Sequence, residues 1–402
     1  MISMTRMYCR AFQSVFNLGA RLLKWRMPSV ESGAGSVSRI PALLRGQNAK
    51  RPMIVTGPRV RRLLLPEILK ELDAAGIEYQ IFSDVENNPT SDTCEKIRDA
   101  YLASGCDSFL AVGGGSPMDA AKAAAALVAR PGKTVRALSG LLKVRRAIPP
   151  FIAVPTTAGT GSETTIAAVI TDSKTHHKAA MMDHVLVPRC AVLDPVLTAG
   201  LPPQVTAATG MDALTHAVEA YLCWTYNTRQ SLRMAEEAVA AIFANLEKAY
   251  ADGSNLAARE EMLNASFKAG FAFTRAGVGN VHAIAHTLGG LYGTAHGLAN
   301  AVILPVVLED YGEAVFAKLA RMAELVGVRG GGANDAEKAR GFISEIRVMN
   351  ARMGIPDGFD FIRDEDMDTM VSWALKEANP VYPVPVIYDR ARCRNVIERL
   401  RK

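Results

Sequence analysis

Residues 106–129, CDSFLAVGGGSPMDAAKAAAALVA, decide the fold class. A short apolar run ends in three consecutive glycines, and an alanine-rich stretch of helical period follows. That order predicts a buried strand, a tight turn and a helix. Gly113, Gly114 and Gly115 let the backbone turn sharply and approach a ligand closely. Ser116 suits a helix cap, Pro117 the first helical position and Asp119 the third. A helix N-terminus framed by glycines can receive a phosphate, although the pattern is not GxGxxG and such a turn is often only a turn.

Working outward, ESGAGSVSRIPALL (31–44) reads as a Gly/Ser turn and a helix, and PMIVTG (52–57) as a buried strand. GPRVRRLLLPEILKELDAAG (57–76) is loop and helix, and IEYQIFSDV (77–85) a second strand. NNPTSDTCEKIRDAYLASG (87–105) is a helix started by Asn88-Pro89-Thr90. Strands alternating with helices predict a parallel sheet wrapped by helices. Beyond the glycine turn, PPFIAVPTTAGTGSETTIAAVITD (149–172) gives a strand, a Thr/Gly turn and further strand. Thr156, Thr157 and Thr160 offer hydroxyls to a cofactor's phosphates or amide, unless the turn is simply surface. Both turns fall at the carboxyl edge of one sheet, where ligands bind. From about Pro202 strand signals vanish and long Ala-, Glu- and Leu-rich helical stretches run on. The segments expected are therefore a basic amphipathic extension (1–32), an α/β domain (33–203) and an all-helical domain (204–402). ANPVYPVPVIYD (378–389) is extended and proline-rich, with no chemistry assigned to it.

A chain of 402 residues is long enough for two domains. Of the net charge of +6, five units come from Arg6, Arg10, Arg21, Lys24 and Arg26, in a stretch (1–30) without acids. The rest is near neutral, which argues against a nucleic-acid-binding face. Six scattered cysteines with no CxxC pair argue against a disulfide scaffold or thiolate zinc site and favour a reducing, cytoplasmic setting. No apolar run is long enough for stable membrane insertion. Tyr8, Phe12, Val15, Phe16, Leu22, Leu23 and Trp25 among the basic residues suit an amphipathic helix, interrupted by Gln13, Asn17 and Arg21. An arm packed on the body or on a partner subunit is the favoured reading, with organelle targeting and membrane-surface binding as alternatives.

The chemistry is concentrated in GMDALTHAVEAY (210–221) and VHAIAHTLGGLYGTAHG (281–297), which hold four of the seven histidines. Asp212 precedes His216 by four residues and His282 precedes His286 by the same step, so each pair shares a helix face. His296 follows a glycine-rich turn. His176, His177 and His184 lack such settings and read as ordinary polar residues. Imidazoles and a carboxylate without thiolate suit iron(II), zinc, nickel or manganese. Such an ion can polarise an alcohol oxygen and stabilise the alkoxide, while an imidazole such as His286 moves the proton.

At these residues the sequence resembles the iron-containing (group III) alcohol dehydrogenase family from about residue 33 onward. The motifs are GAGSVSRIPALL, NNPT, GGGSPMDAAKA, VPTTAGTGSE, LDP with LPP, and the two histidine motifs. The resemblance implies a dinucleotide-binding, Rossmann-like α/β domain and a helical domain, with the active site between them. It implies metal ligands Asp212, His216, His282 and His296, Fe2+ or else Zn2+, with His286 beside nicotinamide and substrate. Asn88, Gly114, Gly115, Ser116, Thr156, Thr157, Thr160 and Lys178 would bind the cofactor, and the subunits would form dimers or larger homo-oligomers. Where many members read IVTD, this chain reads Ile54-Val55-Thr56-Gly57. Gly57 removes the carboxylate that would repel a 2′-phosphate, and Arg59, Arg61 and Arg62 follow, so NADP(H) is expected over NAD(H). These arginines could equally be solvated charges. Thr287 and Ala295 stand where proline is common. The activity implied is metal-dependent, NAD(P)-linked interconversion of a small alcohol and its aldehyde or ketone. A hydroxyacid–oxoacid transhydrogenase, a polyol dehydrogenase, a dehydroquinate-synthase-like lyase or a non-catalytic cofactor sensor are the alternatives.

Overall fold

The structure, a computed structural model, describes residues 4–21, 23, 25–175, 178–328 and 334–402. The expectations touching Leu22, Lys24, His176 and His177 lie outside the described residues. Two compact units form: Lys24–Gly200, and Leu201–Lys402 together with Met1–Leu23.

The first unit is built on strands β1 (Ser29–Ser32), β2 (Pro52–Val55), β3 (Gln80–Phe82), β4 (Ser108–Gly113), β5 (Gly140–Leu141), β6 (Phe151–Pro155), β7 (Ala167–Thr171), β8 (Lys178–Met182) and β9 (Cys190–Leu193). Six of them form a sheet in the order β1-β9-β6-β4-β2-β3, parallel throughout. The side chains alternate across it. Met53, Val55, Phe109, Ala111, Phe151 and Ala153 pack with the 91–103 and 115–129 helices. Ile54, Leu110, Val112, Ile152 and Val154 pack on the opposite face with the 40–46 and 65–74 helices. Burial on both faces explains why these strands read as continuous apolar runs. The further strand expected after the Thr/Gly turn, β7, lies in a separate three-stranded sheet with β5 and β8.

The helix after β4 begins two residues earlier than its sequence suggests. Gly113 has φ 152°, and a side chain there would meet Pro117 Cγ at 2.7 Å, so the chain turns at once. Gly114 becomes the cap of Gly115–Ala129 in place of Ser116. Asp119 accepts from Ser162 Oγ (2.7 Å) and Val169 N (2.9 Å). Lys122, fully buried, donates to the carbonyls of Ser162 (2.6 Å), Thr165 (2.9 Å) and Ala167 (3.0 Å). Burial pulls its ammonium down to about 8, opposed by Asp119 and Glu163. Asp119 and Lys122 thus tie the helix behind the glycine turn to the Thr/Gly turn.

The second unit has no strand among its described residues beyond an isolated Phe359–Arg401 bridge. Its central helix, Pro203–Leu222, is buried almost all round. The 296–311 helix approaches it at Gly297, where a Cβ would come within 2.2 Å of the Ala208 carbonyl oxygen. The Met4–Arg21 helix also belongs to this unit. It buries Cys9, Gln13, Asn17 and Ala20, while Tyr8, Val15 and Leu18 are exposed. Two of the three polar residues that interrupt the apolar pattern, Gln13 and Asn17, therefore face inward, because carbonyl groups await them there, while Arg21 is exposed. Gln13 Nε2 donates to Pro380 O and Tyr382 O, and Asn17 Nδ2 donates to Thr225 O. No helix among the described residues is long and apolar enough to cross a membrane.

Lys122→Met should strand the three carbonyls of Ser162, Thr165 and Ala167, at a cost of about 1–3 kcal/mol for each buried acceptor left without a donor. Denaturant unfolding of the variant against the parent measures it; an unchanged midpoint would contradict this account.

Candidate metal centre

Three helix segments supply the polar cluster. Asp212 and His216 sit one turn apart on the 203–222 helix. His282 and His286 sit one turn apart on Asn280–Tyr292, which ends at Gly293 in the left-handed conformation (φ 67°). The chain then re-enters a helix whose first residue is His296. The glycine-rich turn is thus what returns His296 to the neighbourhood of His282.

Asp212, His216, His282 and His296 each place one ligand atom so that all lie within 4.8 Å of one another. His282 Nε2 is 3.9 Å and His296 Nε2 3.5 Å from Asp212 Oδ1. The His216 and His282 rings stack at 4.6 Å, and Phe273 covers the other face of His216 at 4.1 Å. Asp212, His216 and His282 are buried, whereas His296 is exposed on one side. The buried Asp212 carboxylate has no lysine or arginine beside it among the described residues; its neighbours are imidazoles and the Asn300 amide. Three imidazole nitrogens and a carboxylate oxygen around one point fit a divalent first-row ion. Burial, followed by the neighbouring histidines, holds His282 well below its usual pKa, so its ring is neutral and fit to ligate.

Two residues of this cluster went unremarked in the sequence. Glu219, one turn beyond His216, is buried, with its Oε2 2.6 Å from His282 Nδ1. It also accepts from the backbone N–H groups of Gly279 (2.9 Å) and Val281 (2.8 Å). Burial pushes its carboxyl up to about 8, a rise that those N–H donors only partly offset. This carboxylate fixes the His282 ring with Nε2 towards the cluster. Asn300, one turn after His296, donates from Nδ2 to Asp212 Oδ1 (2.7 Å) and lies 3.2 Å from both His282 Nε2 and His296 Nε2. The signal for both was helical spacing from a histidine, three residues in one case and four in the other.

His286 stays outside the group. Its ring stacks on His296 at 5.1 Å, and its Nδ1 lies 2.6 Å from Glu377 Oε1. His184 belongs to the first unit, with its Nδ1 3.2 Å from Asp183 Oδ1.

In the first unit, the residues expected to bind a cofactor fall into pairs. Gly114 faces the Thr157 side chain and Gly115 that of Thr160, and in each case a Cβ would come within 3.2 Å of the threonine. Thr156 N donates to Gly113 O (3.0 Å), joining the two turns. Ser116 lies in the first turn of the 115–129 helix. Lys178 Nζ donates to Asn88 Oδ1 at 2.7 Å, with Asn88 left-handed at φ 59°. Gly57 caps the Pro58–Leu63 helix after β2, and Arg61 Nη1 donates to Ser83 Oγ at 2.6 Å.

Residues 28–195 match the model of the iron-containing alcohol dehydrogenases, and residues 206–399 match that family's C-terminal domain. The chain belongs to the iron-containing alcohol dehydrogenase family. It is an oxidoreductase that interconverts alcohols and carbonyl compounds. It is 37% identical over 365 residues to the 1,3-propanediol dehydrogenase of Citrobacter freundii, covering 89% of this chain and 94% of that protein. It is 35% identical over 353 residues to the NAD-dependent methanol dehydrogenase of Bacillus methanolicus, covering 87% and 92%. The crystal structure of a 1,3-propanediol oxidoreductase superposes with a TM-score of 0.90 at 34% identity, covering 94% of this chain and 99% of that one.

Glu219→Gln should weaken divalent-metal affinity about 10- to 100-fold while leaving the helices folded. Chelator competition checks this; unchanged affinity would remove Glu219 from the site.

Proposed function

We propose that Asp212, His216, His282 and His296 hold a divalent ion, iron(II) with zinc also suited, and that the enzyme acts on a small alcohol or aldehyde. The observation that carries this is the meeting of four ligand atoms within 4.8 Å, one of them on a carboxylate buried without a cation. When bound, the ion would polarise the substrate oxygen and a nicotinamide would exchange hydride with its carbon. His286 handles the proton. Glu377 occupies its Nδ1, so Nε2 is the atom that accepts the alcohol proton or returns one to the carbonyl product.

The cofactor contacts in this reading are Gly57, Asn88, Gly114, Gly115, Ser116, Thr156, Thr157, Thr160 and Lys178. A preference for NADP(H) is supported by the bare backbone at Gly57 and the exposed Arg59, Arg61 and Arg62 that follow. The Bacillus methanolicus relative is named for NAD, which makes the two cofactors the direct comparison. Six buried free cysteines support a cytoplasmic, reducing location, and self-association into dimers or larger assemblies is part of the same reading.

His282→Ala and His296→Ala should each abolish metal retention and turnover together. His286→Ala should keep the metal and lose about 10²- to 10⁴-fold in kcat. Metal analysis beside steady-state rates checks all three, and activity surviving metal loss would contradict the assignment. Initial aldehyde reduction should be faster with NADPH than with NADH; the reverse would make the three arginines plain surface charges.

A further inference from the structure

The proline-rich segment after the Met367–Ala378 helix is linked through Glu377 to the residue proposed to move the proton. Glu377, in the last turn of that helix, uses one oxygen twice. Its Oε1 lies 2.6 Å from His286 Nδ1 and accepts from the Tyr382 hydroxyl at 2.7 Å. Burial, and then the charge of Glu377, push the Tyr382 phenol well above its usual pKa, so the hydroxyl remains a donor. The backbone around Tyr382 is held in turn by a residue far away in sequence. Gln13, fully buried on the 4–21 helix, donates from Nε2 to Pro380 O (2.9 Å) and Tyr382 O (2.7 Å). Its Oε1 accepts from Trp224 Nε1 at 2.6 Å, which fixes the orientation of the amide. Arg10 adds a bond to Pro385 O at 2.8 Å, and Cys9 packs against Val384 and Ile387. The 4–21 helix lies outside the part of the chain that matches the family models, residues 28–195 and 206–399.

We infer that Glu377 is the positioning residue of His286, held through Tyr382, and that the N-terminal helix braces this pair through Gln13. The inference rests on the assignment of His286 as the proton-handling group and extends it to what sets the ring. An imidazole on an exposed helix face has rotamer freedom. A carboxylate on Nδ1 removes it and fixes the tautomer that leaves Nε2 to the substrate. A carboxylate that also accepts from a tyrosine is itself restricted. Gln13 decides where that tyrosine stands.

Full-length, metal-loaded protein tests this with Glu377→Gln, Tyr382→Phe and Gln13→Ala, each alone and each combined with His286→Ala. Alone, Glu377→Gln should lower kcat about 10- to 100-fold with KM and metal content held, and Gln13→Ala should lower it by up to about tenfold. Tyr382→Phe should fall between them. Glu377→Asp, which retains the acceptor, should restore most of the rate. In the His286→Ala background all three substitutions should change kcat by less than about twofold, because there is no ring left to position. Equal losses in both backgrounds, or no loss in the parent background, would overturn the proposal. Loss with Glu377→Gln but none with Gln13→Ala would overturn the part assigned to the N-terminal helix. A His286→Ala enzyme with full kcat would defeat the proton-handling assignment itself, an outcome distinct from the others.

Discussion

A carboxylate buried to 2% exposure among three imidazoles and an amide is the arrangement on which the helical unit turns. Taking a charge out of water costs several kcal/mol unless opposite charge or hydrogen bonds compensate it. Asp212 has no lysine or arginine beside it among the described residues, and in the proposed reading a cation shared with His216, His282 and His296 would supply the missing charge. The helices are shaped to bring this about. Gly297 permits a close approach to the Ala208 carbonyl, and left-handed Gly293 turns the chain so that His296 returns to face His282. Glu219 then reaches from the 203–222 helix to fix the His282 ring and to tie down the N–H groups of Gly279 and Val281.

The α/β unit works on a comparable principle with different means. Two turns on adjacent parallel strands, one of glycines and one of threonines and glycines, are locked together by Thr156 N to Gly113 O and by the buried Lys122. Glycines at 114 and 115 leave room for the threonines that face them. The result is half-buried backbone at Gly114 and Gly115 beside the half-buried hydroxyls of Ser116, Thr157 and Thr160, at the carboxyl ends of the strands, the kind of edge that suits a phosphate-bearing ligand.

Periodicity carried most of the architecture in the sequence. Alternating apolar strands and helices up to about Pro202 give the parallel sheet, and the four-residue steps 212–216 and 282–286 put their side chains on shared faces. What the sequence hid were contacts set by tertiary packing. Glu219 and Asn300 look like ordinary helix residues until the neighbouring helices close on them. The cap at Gly114 displaced Ser116 because the positive φ of Gly113 starts the helix early. The 4–21 helix buries its polar stripe because Gln13 and Asn17 find carbonyl partners there, a preference that no hydrophobic pattern records. The proline-rich 378–389 stretch was opaque for the same reason: Tyr382 gains meaning only beside Glu377 and His286.

The most direct test of the central claim is X-ray absorption at the metal edge of the iron- or zinc-loaded protein. The account predicts only nitrogen and oxygen neighbours, at about 2.0–2.2 Å, with imidazole scattering that is reduced in His216→Ala. A sulfur neighbour at about 2.3 Å, or a spectrum unchanged by removing His216, would contradict it.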